Sequence, residues 1–121
     1  MAYRQAIGRH GEDLACEYLQ QRGYEIVERN WRCARGEIDI VARDGDCWTF
    51  VEVKTRRGHA VQYPEEGVND AKRVRLAELA MRYLAEGNYT EVDWRLDLLA
   101  IELGERSASP RINLIQGIGI Y

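Results

Sequence analysis

The chain has 121 residues, of which 45% are hydrophobic and 31% are charged, a profile typical of a soluble globular protein with a single domain over residues 1–121. Its net charge of −3 argues against a strongly basic, generic nucleic-acid binder, and no apolar run approaches the length of a membrane span. No signal-peptide pattern follows Met1, so we expect a cytoplasmic protein that does not contact a membrane.

The first predicted element is an amphipathic helix over residues 8–22, which ends at Gly23. At helical periodicity, Leu14 and Leu19 lie on one arc, and most of the acids lie on the opposite arc. Glu12 is the exception, because it falls at the edge of the apolar arc. It either points over a sheet toward a metal site or is a first-turn acid favoured by the helix dipole. The pattern leaves both options open.

Three strands are predicted to follow this helix. The first covers residues 24–28 and leads into a connection over 30–35. The other two cover 37–43 and 47–55, where β-branched residues alternate with polar ones.

The Asp-Gly pair at 44–45 predicts a tight hairpin between the last two strands. With these as the central turn residues, Glu37 faces Glu52 and Asp39 faces Phe50. An even-length turn also puts four charged side chains on one face of the hairpin: Glu37, Asp39, Glu52 and Lys54.

This shared face predicts a divalent-cation site. Asp39 is diagonal to Glu52, within roughly 7–8 Å at Cα, so both carboxylates can reach one ion. The alternative is an ordinary surface ion pair of either acid with Lys54. The hairpin by itself leaves the two interpretations open.

The scarcity of lysine favours a specific role for Lys54. The chain has 17 basic residues, and Lys54 and Lys72 are its only lysines. Arginine stays protonated, whereas lysine can be tuned and presents a compact charge. We therefore do not interpret Lys54 as an interchangeable surface cation.

A loop over 56–67 and a helix over 70–86 are predicted next. The loop begins just after Lys54 and could flank a substrate groove. Lys72 projects into the apolar arc of the helix, with Arg73 and Arg75 on either side. It either extends past the helix end or reaches an acidic site or a phosphate.

The predicted order is completed by a strand over 92–102 and an edge strand over 111–115. Asp97 is interpreted as the partner of Arg95 or of another basic group, with a role as a metal ligand as the alternative. The element order α-β-β-β-α-β-β indicates an α/β fold with a mixed sheet flanked by helices.

Asp39 followed by Glu52-Val53-Lys54 resembles the D…(D/E)xK motif of the restriction-endonuclease-like superfamily. A longer run of residues resembles the YraN-type family of small bacterial proteins, a family of endonuclease-like proteins whose function is unassigned. The matching residues span almost the whole chain: Gly11-Glu12, Ala15, Gly23-Tyr24, Asn30-Trp31, Gly36-Glu37-Ile38-Asp39, Phe50-Val51-Glu52-Val53-Lys54-Thr55-Arg56 and Lys72.

The resemblance implies a nuclease-like fold, similar to tRNA-endonuclease and Holliday-junction-resolvase domains. It implies that Asp39 and Glu52 hold Mg²⁺ or Mn²⁺, and that Glu12 or Glu37 positions a second ion or its waters. In that chemistry Lys54 orients the attacking water or stabilises developing charge.

The expected function is metal-dependent hydrolysis of phosphodiester bonds in structured or branched nucleic acid, DNA rather than RNA. Basic side chains would contact the phosphate backbone: Lys72, Arg56, Arg57, Arg73 and Arg75. One alternative is a module on the same fold that binds nucleic acid without cutting it. Another is a partner-binding domain that buries its acidic face in an interface. A resolvase-like activity would favour a homodimer.

Overall fold

The computed structural model describes residues 2–57, 69–104 and 109–118, and in the first of these ranges the side chains of residues 9–56. Within this part of the chain the element order is α-β-β-β-α-β-β, which confirms the predicted architecture. The bounds are α1 Ala2–Gln21, β1 Glu25–Cys33, β2 Gly36–Asp44, β3 Cys47–Arg57, α2 Asp70–Glu86, β4 Trp94–Leu103 and β5 Arg111–Gln116.

All five strands form one sheet in the order β1-β2-β3-β4-β5. Neighbouring strands are antiparallel except β3 and β4, which run parallel. A parallel pair needs a long crossover connection, and α2 lies in it. Glu52 and Lys54 therefore sit on the central strand, beside Leu98 and Ala100 of β4.

The two helices cover opposite faces of the sheet. Val41 and Phe50 belong to the core under α2, whereas Ile40 and Val51 belong to the core under α1. Successive residues of a strand point to opposite faces, so this alternation separates the two cores. The acidic residues at 37, 39 and 52 line a groove on the α2 side.

The hairpin turn differs from the predicted one by one residue. Asp44 pairs with Cys47, so the central turn residues are Gly45 and Asp46, not Asp44 and Gly45. Gly45 has φ +62, and a glycine with positive φ at the first central position is typical of a type II′ turn. Glycine accepts this conformation without steric cost, which explains why the turn forms around it.

The shifted turn also corrects the facing residues. Phe50 pairs with Val41 instead of Asp39. The paired register ends at Ile40 and Val51, and beyond it the Asp39 side chain accepts a hydrogen bond from the Val53 N–H. The turn still has two residues, so the prediction that the acids share a face survives the correction.

The first helix and strand are both longer than predicted. The start at residue 8 is wrong, because α1 begins at Ala2 and continues through Gly8. The connection predicted over 30–35 is also wrong in its first part, because β1 continues to Cys33. Pairing with β2 holds these residues in the sheet, although a bulge interrupts the register early in β1.

Helix α2 has the predicted bounds, because its ends carry local signals. The Asn69 side chain accepts a hydrogen bond from the Lys72 backbone N–H at 3.0 Å, and Gly87 is the C-cap. Of the loop predicted over 56–67, the first two residues extend β3, and the others lie outside the described residues. Neither helix in this part of the chain has the length and hydrophobicity needed to cross a bilayer.

Candidate active site

A glycine in the middle of α1 lets the helix lie directly on the central strand. Gly11 is buried, and a Cβ built on it would clash with the Oγ1 atom of Thr55 in β3. This close approach places the next residue, Glu12, beside the sheet with a side chain that is only 18% exposed. The helix-edge position predicted for Glu12 therefore corresponds to a location near the hairpin acids.

Asp39 and Glu52 form a half-buried, hydrogen-bonded carboxyl pair on β2 and β3. Burial, and next the negative charge of Glu52, raises the pKa of Asp39 to about 7, although the Val53 N–H donates to Asp39 Oδ2 at 2.8 Å and acts in the opposite direction. Burial also raises the pKa of Glu52, and the charges of Lys54 and Lys72 oppose that rise. Asp39 is therefore only partly ionised near neutral pH.

Both lysines of the chain meet at this pair. A close side-chain contact with Lys72 is the largest cause that lowers the pKa of Lys54, followed by burial, while the charge of Glu52 opposes the change. Lys54 comes from the central strand and Lys72 from the first turn of α2, so two elements bring the cations together. Of the two alternatives for Lys72, the structure favours a side chain that reaches the acidic site.

The two outer acids lie near the pair, and each contacts an arginine of β1. Glu12 lies 3.7 Å from Arg29, whose other contact is Asp13 at 2.8 Å. Glu37 lies 3.0 Å from Arg32, and both side chains are exposed. The charges of Glu12 and Glu37 still contribute to the raised pKa of Asp39.

The other four basic residues that were predicted to contact the phosphate backbone differ in their position. Arg75 lines the same groove as the acids, and the charge of Arg56 reaches Lys54. Arg73 is half-buried and lies 3.6 Å from Asp70, outside the groove lining. The Arg57 side chain lies outside the described residues.

The chemistry of the donor set fits Mg²⁺ or Mn²⁺, although the protein supplies few ligands. Among the described side chains, no three Asp, Glu, His or Cys residues converge closely enough to ligate one ion. Asp39 and Glu52 are the two that do meet, and protein-bound Mg²⁺ commonly uses one or two carboxylates and completes its shell with water and substrate phosphate. A bound cation also stabilises the charged form of both carboxyls, which burial disfavours.

A second polar cluster lies away from this pair, toward the hairpin turn. Asp97 is fully buried and accepts a hydrogen bond from Arg95 at 3.1 Å, which confirms the predicted partnership. The backbone N–H of Gly117 also donates to Asp97, and Arg95 donates to Asp44. The cluster joins β4 to the hairpin and to the segment after β5.

Sequence reasoning missed the contacts that surround the carboxyl pair. The pairing of Arg29 and Arg32 with the outer acids depends on β1 continuing beyond residue 28, which the sequence did not predict. The Gly11–Thr55 contact had one available signal, a glycine inside an amphipathic helix. Leu76 and Leu79 contribute the apolar lining of the groove. The only sequence signal for this lining was the helical periodicity of the two leucines.

Comparison with known proteins identifies the family. The model of the family described as "Uncharacterised protein family UPF0102" matches residues 11–101, about three quarters of the chain. A UPF0102 protein of Beutenbergia cavernae is 44% identical over 119 residues, which cover 98% of this chain and 100% of the relative. A UPF0102 protein of Roseiflexus castenholzii is 46% identical over 114 residues, which cover 93% and 91%.

A third relative, from Arthrobacter sp., is 42% identical over 119 residues, which cover 98% of this chain and 100% of its own. The matched region contains the carboxyl pair, both lysines and Gly11. The chain therefore belongs to the family UPF0102, which is the YraN-type family that its motifs resemble.

Proposed function

We propose that this protein is a metal-dependent nuclease that hydrolyses phosphodiester bonds in structured or branched nucleic acid. The observation that carries the proposal is the half-buried Asp39–Glu52 pair beside both lysines of the chain. Two carboxyls brought together and partly removed from water beside two cations are costly for stability, and such groups are typical of functional sites.

Asp39 and Glu52 would hold the Mg²⁺ or Mn²⁺ ion. When bound, the ion supplies charge neutralisation at the scissile phosphate and lowers the pKa of a water. Lys54 would donate hydrogen bonds to that water or to a phosphate oxygen. Lys72 and Arg75 hold the phosphate group from α2.

The other predicted contacts belong to the same proposal. Glu12 and Glu37 would orient waters around the ion, and the side chains of Arg56, Arg57 and Arg73 would contact the flanking backbone. DNA as the substrate rather than RNA, action as a homodimer and a cytoplasmic location are also proposed.

Titration of Mg²⁺ and Mn²⁺ against branched, duplex and single-stranded DNA tests the proposal. We expect cleavage that depends on the metal and falls at least about 100-fold in Lys54→Ala, a typical contribution of a positioned proton-transfer group. Arg82→Ala is the matched control, because Arg82 is an exposed cation that pairs with Glu86 on α2. No cleavage of any substrate, or full activity in Lys54→Ala, would contradict the enzyme proposal.

The runner-up is a module that binds nucleic acid without cutting it. One observation favours it: the described side chains supply only two carboxylates to an ion, with no third Asp, Glu, His or Cys converging on them. Such a module keeps its affinity after Asp39→Asn and responds little to Mg²⁺. Loss of affinity in Asp39→Asn, together with binding that requires Mg²⁺, would reject the module.

A further inference from the structure

The groove beside the Asp39–Glu52 pair also has an apolar wall. It has a volume of about 450 Å³ and lies between the hairpin and the first half of α2. Ala71, Leu76 and Leu79 of α2 contribute to its lining. An apolar wall adds little to the binding of a hydrated phosphate, and it favours a ligand that also has an apolar surface.

The hairpin side of the groove leaves room against this wall. Gly36, at the start of β2, has φ +150 and also lines the groove. A Cβ built on it would lie 3.3 Å from Leu79 Cδ1. A side chain at this position would press on Leu79 and take up space in the groove, so the glycine keeps the space open.

The same groove has a cationic side. Lys72 and Arg75 line it from α2, three residues apart and therefore on neighbouring turns of one helix face. Arginine can bind a phosphate group through two parallel hydrogen bonds, and lysine acts as a compact charge. A ligand that complements both sides has an anionic group next to an apolar, flat one, as a nucleotide has.

The position of the carboxyl pair within the groove favours an unpaired nucleic-acid strand over a duplex. Asp39 and Glu52 are half-buried at the base of the groove, and α2 forms the groove's opposite wall. A duplex keeps its bases stacked and paired inside, so it offers mainly phosphates and sugars at its surface. An unpaired nucleotide can present both its phosphate and its base to a groove.

We infer that this groove binds one unpaired nucleotide of a single-stranded nucleic acid, with the phosphate toward Lys72 and Arg75 and the base against Ala71, Leu76 and Leu79. The inference rests on the proposed function, because it names the form of substrate that reaches the same site. The unpaired nucleotide can belong to a free strand or to a junction between duplexes.

Binding of short fluorescent oligonucleotides tests this inference, with Ca²⁺ in place of Mg²⁺. Fluorescence anisotropy compares a DNA single strand, the fully paired duplex of the same sequence and an RNA single strand. We expect a single strand to bind at least tenfold more tightly than the duplex at the same salt concentration. Selective binding of either strand supports the inference, and the preferred one identifies the nucleic acid.

A second experiment measures binding after the groove is filled by a substitution. Ala71→Trp places a large side chain in the groove, and Ala85→Trp makes the same change at another exposed alanine of α2 that does not line it. We expect Ala71→Trp to lose at least tenfold in affinity for the single strand and to keep its Mn²⁺ affinity and its unfolding midpoint. Ala85→Trp should behave as the wild type in all three measurements.

The outcomes separate this inference from the proposed function. Equal binding of duplex and single strand, or no effect of Ala71→Trp, overturns the unpaired-nucleotide groove even where cleavage is observed. Selective, groove-dependent binding of a single strand supports it even where nothing is cut. Absence of binding to every oligonucleotide overturns it as well.

Discussion

At the scale of single residues, the site is organised by which cation neutralises each acid. The outer acids Glu12 and Glu37 contact arginines of β1, whereas the inner acids Asp39 and Glu52 face lysines and each other. Arginine stays protonated, so the outer acids keep a permanent positive partner. The charge of the inner acids is neutralised less completely by the lysines, so a proton or a metal ion can bind there. The inner pair should therefore respond to both pH and metal.

The metal-free protein should lose stability as the pH rises toward 7, and Asp39→Asn should remove much of that loss. The pKa of Asp39 is about 7 when folded and 3.8 ordinarily, so the folded state holds a proton that the unfolded state releases. Stability from this group is present below about pH 4 and is lost as the pH rises to about 7. Urea unfolding from pH 5 to pH 8 measures the effect.

At pH 8 we expect Asp39→Asn to be more stable than the wild type by roughly 1–3 kcal/mol, less than the whole shift implies because Glu52 titrates with it. Asp46→Asn is the control, because Asp46 is fully exposed and its nearest cation lies 3.8 Å away. A parallel pH dependence of the wild type and Asp39→Asn would contradict the raised pKa.

The wild type should bind one Mn²⁺ ion per chain, not two. Arg32 forms an ion pair with Glu37 at 3.0 Å, and Arg29 lies 3.7 Å from Glu12. Asp39 and Glu52 are therefore the carboxylates available to bind Mn²⁺. Isothermal titration calorimetry measures the stoichiometry. The affinity should fall below about pH 7, because binding displaces the proton of Asp39.

Arg32→Ala frees Glu37 and should add a second, weaker Mn²⁺ site, whereas Arg111→Ala, an exposed cation near Glu102, should not. Two ions in the wild type would show that the arginines do not compete for the outer acids. A titration without any heat of binding would favour the interpretation of a partner-binding domain.

At the scale of elements, the close contact of α1 with β3 sets the distance of Glu12 from the carboxyl pair. Gly11 makes this contact possible, because only a residue without a side chain fits against Thr55. Helix propensity opposes glycine at this position by about 1 kcal/mol relative to alanine. The packing requirement therefore outweighs the local preference.

Gly11→Ala should destabilise the protein by roughly 1–3 kcal/mol, although alanine is the better helix former, because the new methyl group overpacks the contact. Chemical denaturation of the single variant and of the double variant with Thr55→Ala measures the effect. The second substitution removes the Oγ1 atom from the clash and should restore part of the loss. An increase in stability in Gly11→Ala would show that α1 can move away from β3 at no cost.

The elements also show which boundaries can be predicted from local sequence signals alone. The bounds of α2 are predictable because Asn69 and Gly87 cap the helix from within a few residues. The end of β1 is not, because residues 29–33 are held in the sheet by pairing with β2. The hairpin turn is a mixed case: Gly45 marks its position, and strand register decides which neighbour joins it.

At the scale of the whole molecule, the Asp97 cluster joins segments that are distant in the chain. Tyr24 follows α1, Asp44 ends β2, and Gly117 follows β5, and each contacts Asp97 or its partner Arg95. Asp97 has no exposed side-chain surface. A buried charge of this kind must keep its hydrogen bonds, since an unmatched partner is costly.

Asp97→Ala should destabilise the fold by about 3 kcal/mol, because it leaves Arg95 and the Gly117 N–H without their shared acceptor. The midpoint of urea unfolding measures the loss, with Asp93→Ala as the control at an exposed acid just before β4. Metal affinity of the folded variant should stay unchanged, since the cluster lies apart from the carboxyl pair. Equal stability of the two variants would contradict a structural role for Asp97.

The sequence by itself determined the element order and the face shared by Asp39, Glu52 and Lys54, because these depend on short-range periodicity and turn parity. It offered Arg95 as one candidate partner of Asp97, and the structure selected it. Only the tertiary structure decided which acid hydrogen-bonds to Glu52, which acids contact arginines and that Lys72 meets Lys54. Those features require segments far apart in the chain to lie within a few ångströms. Such proximity is set by strand register and helix packing, and neither leaves a local signature in the residues.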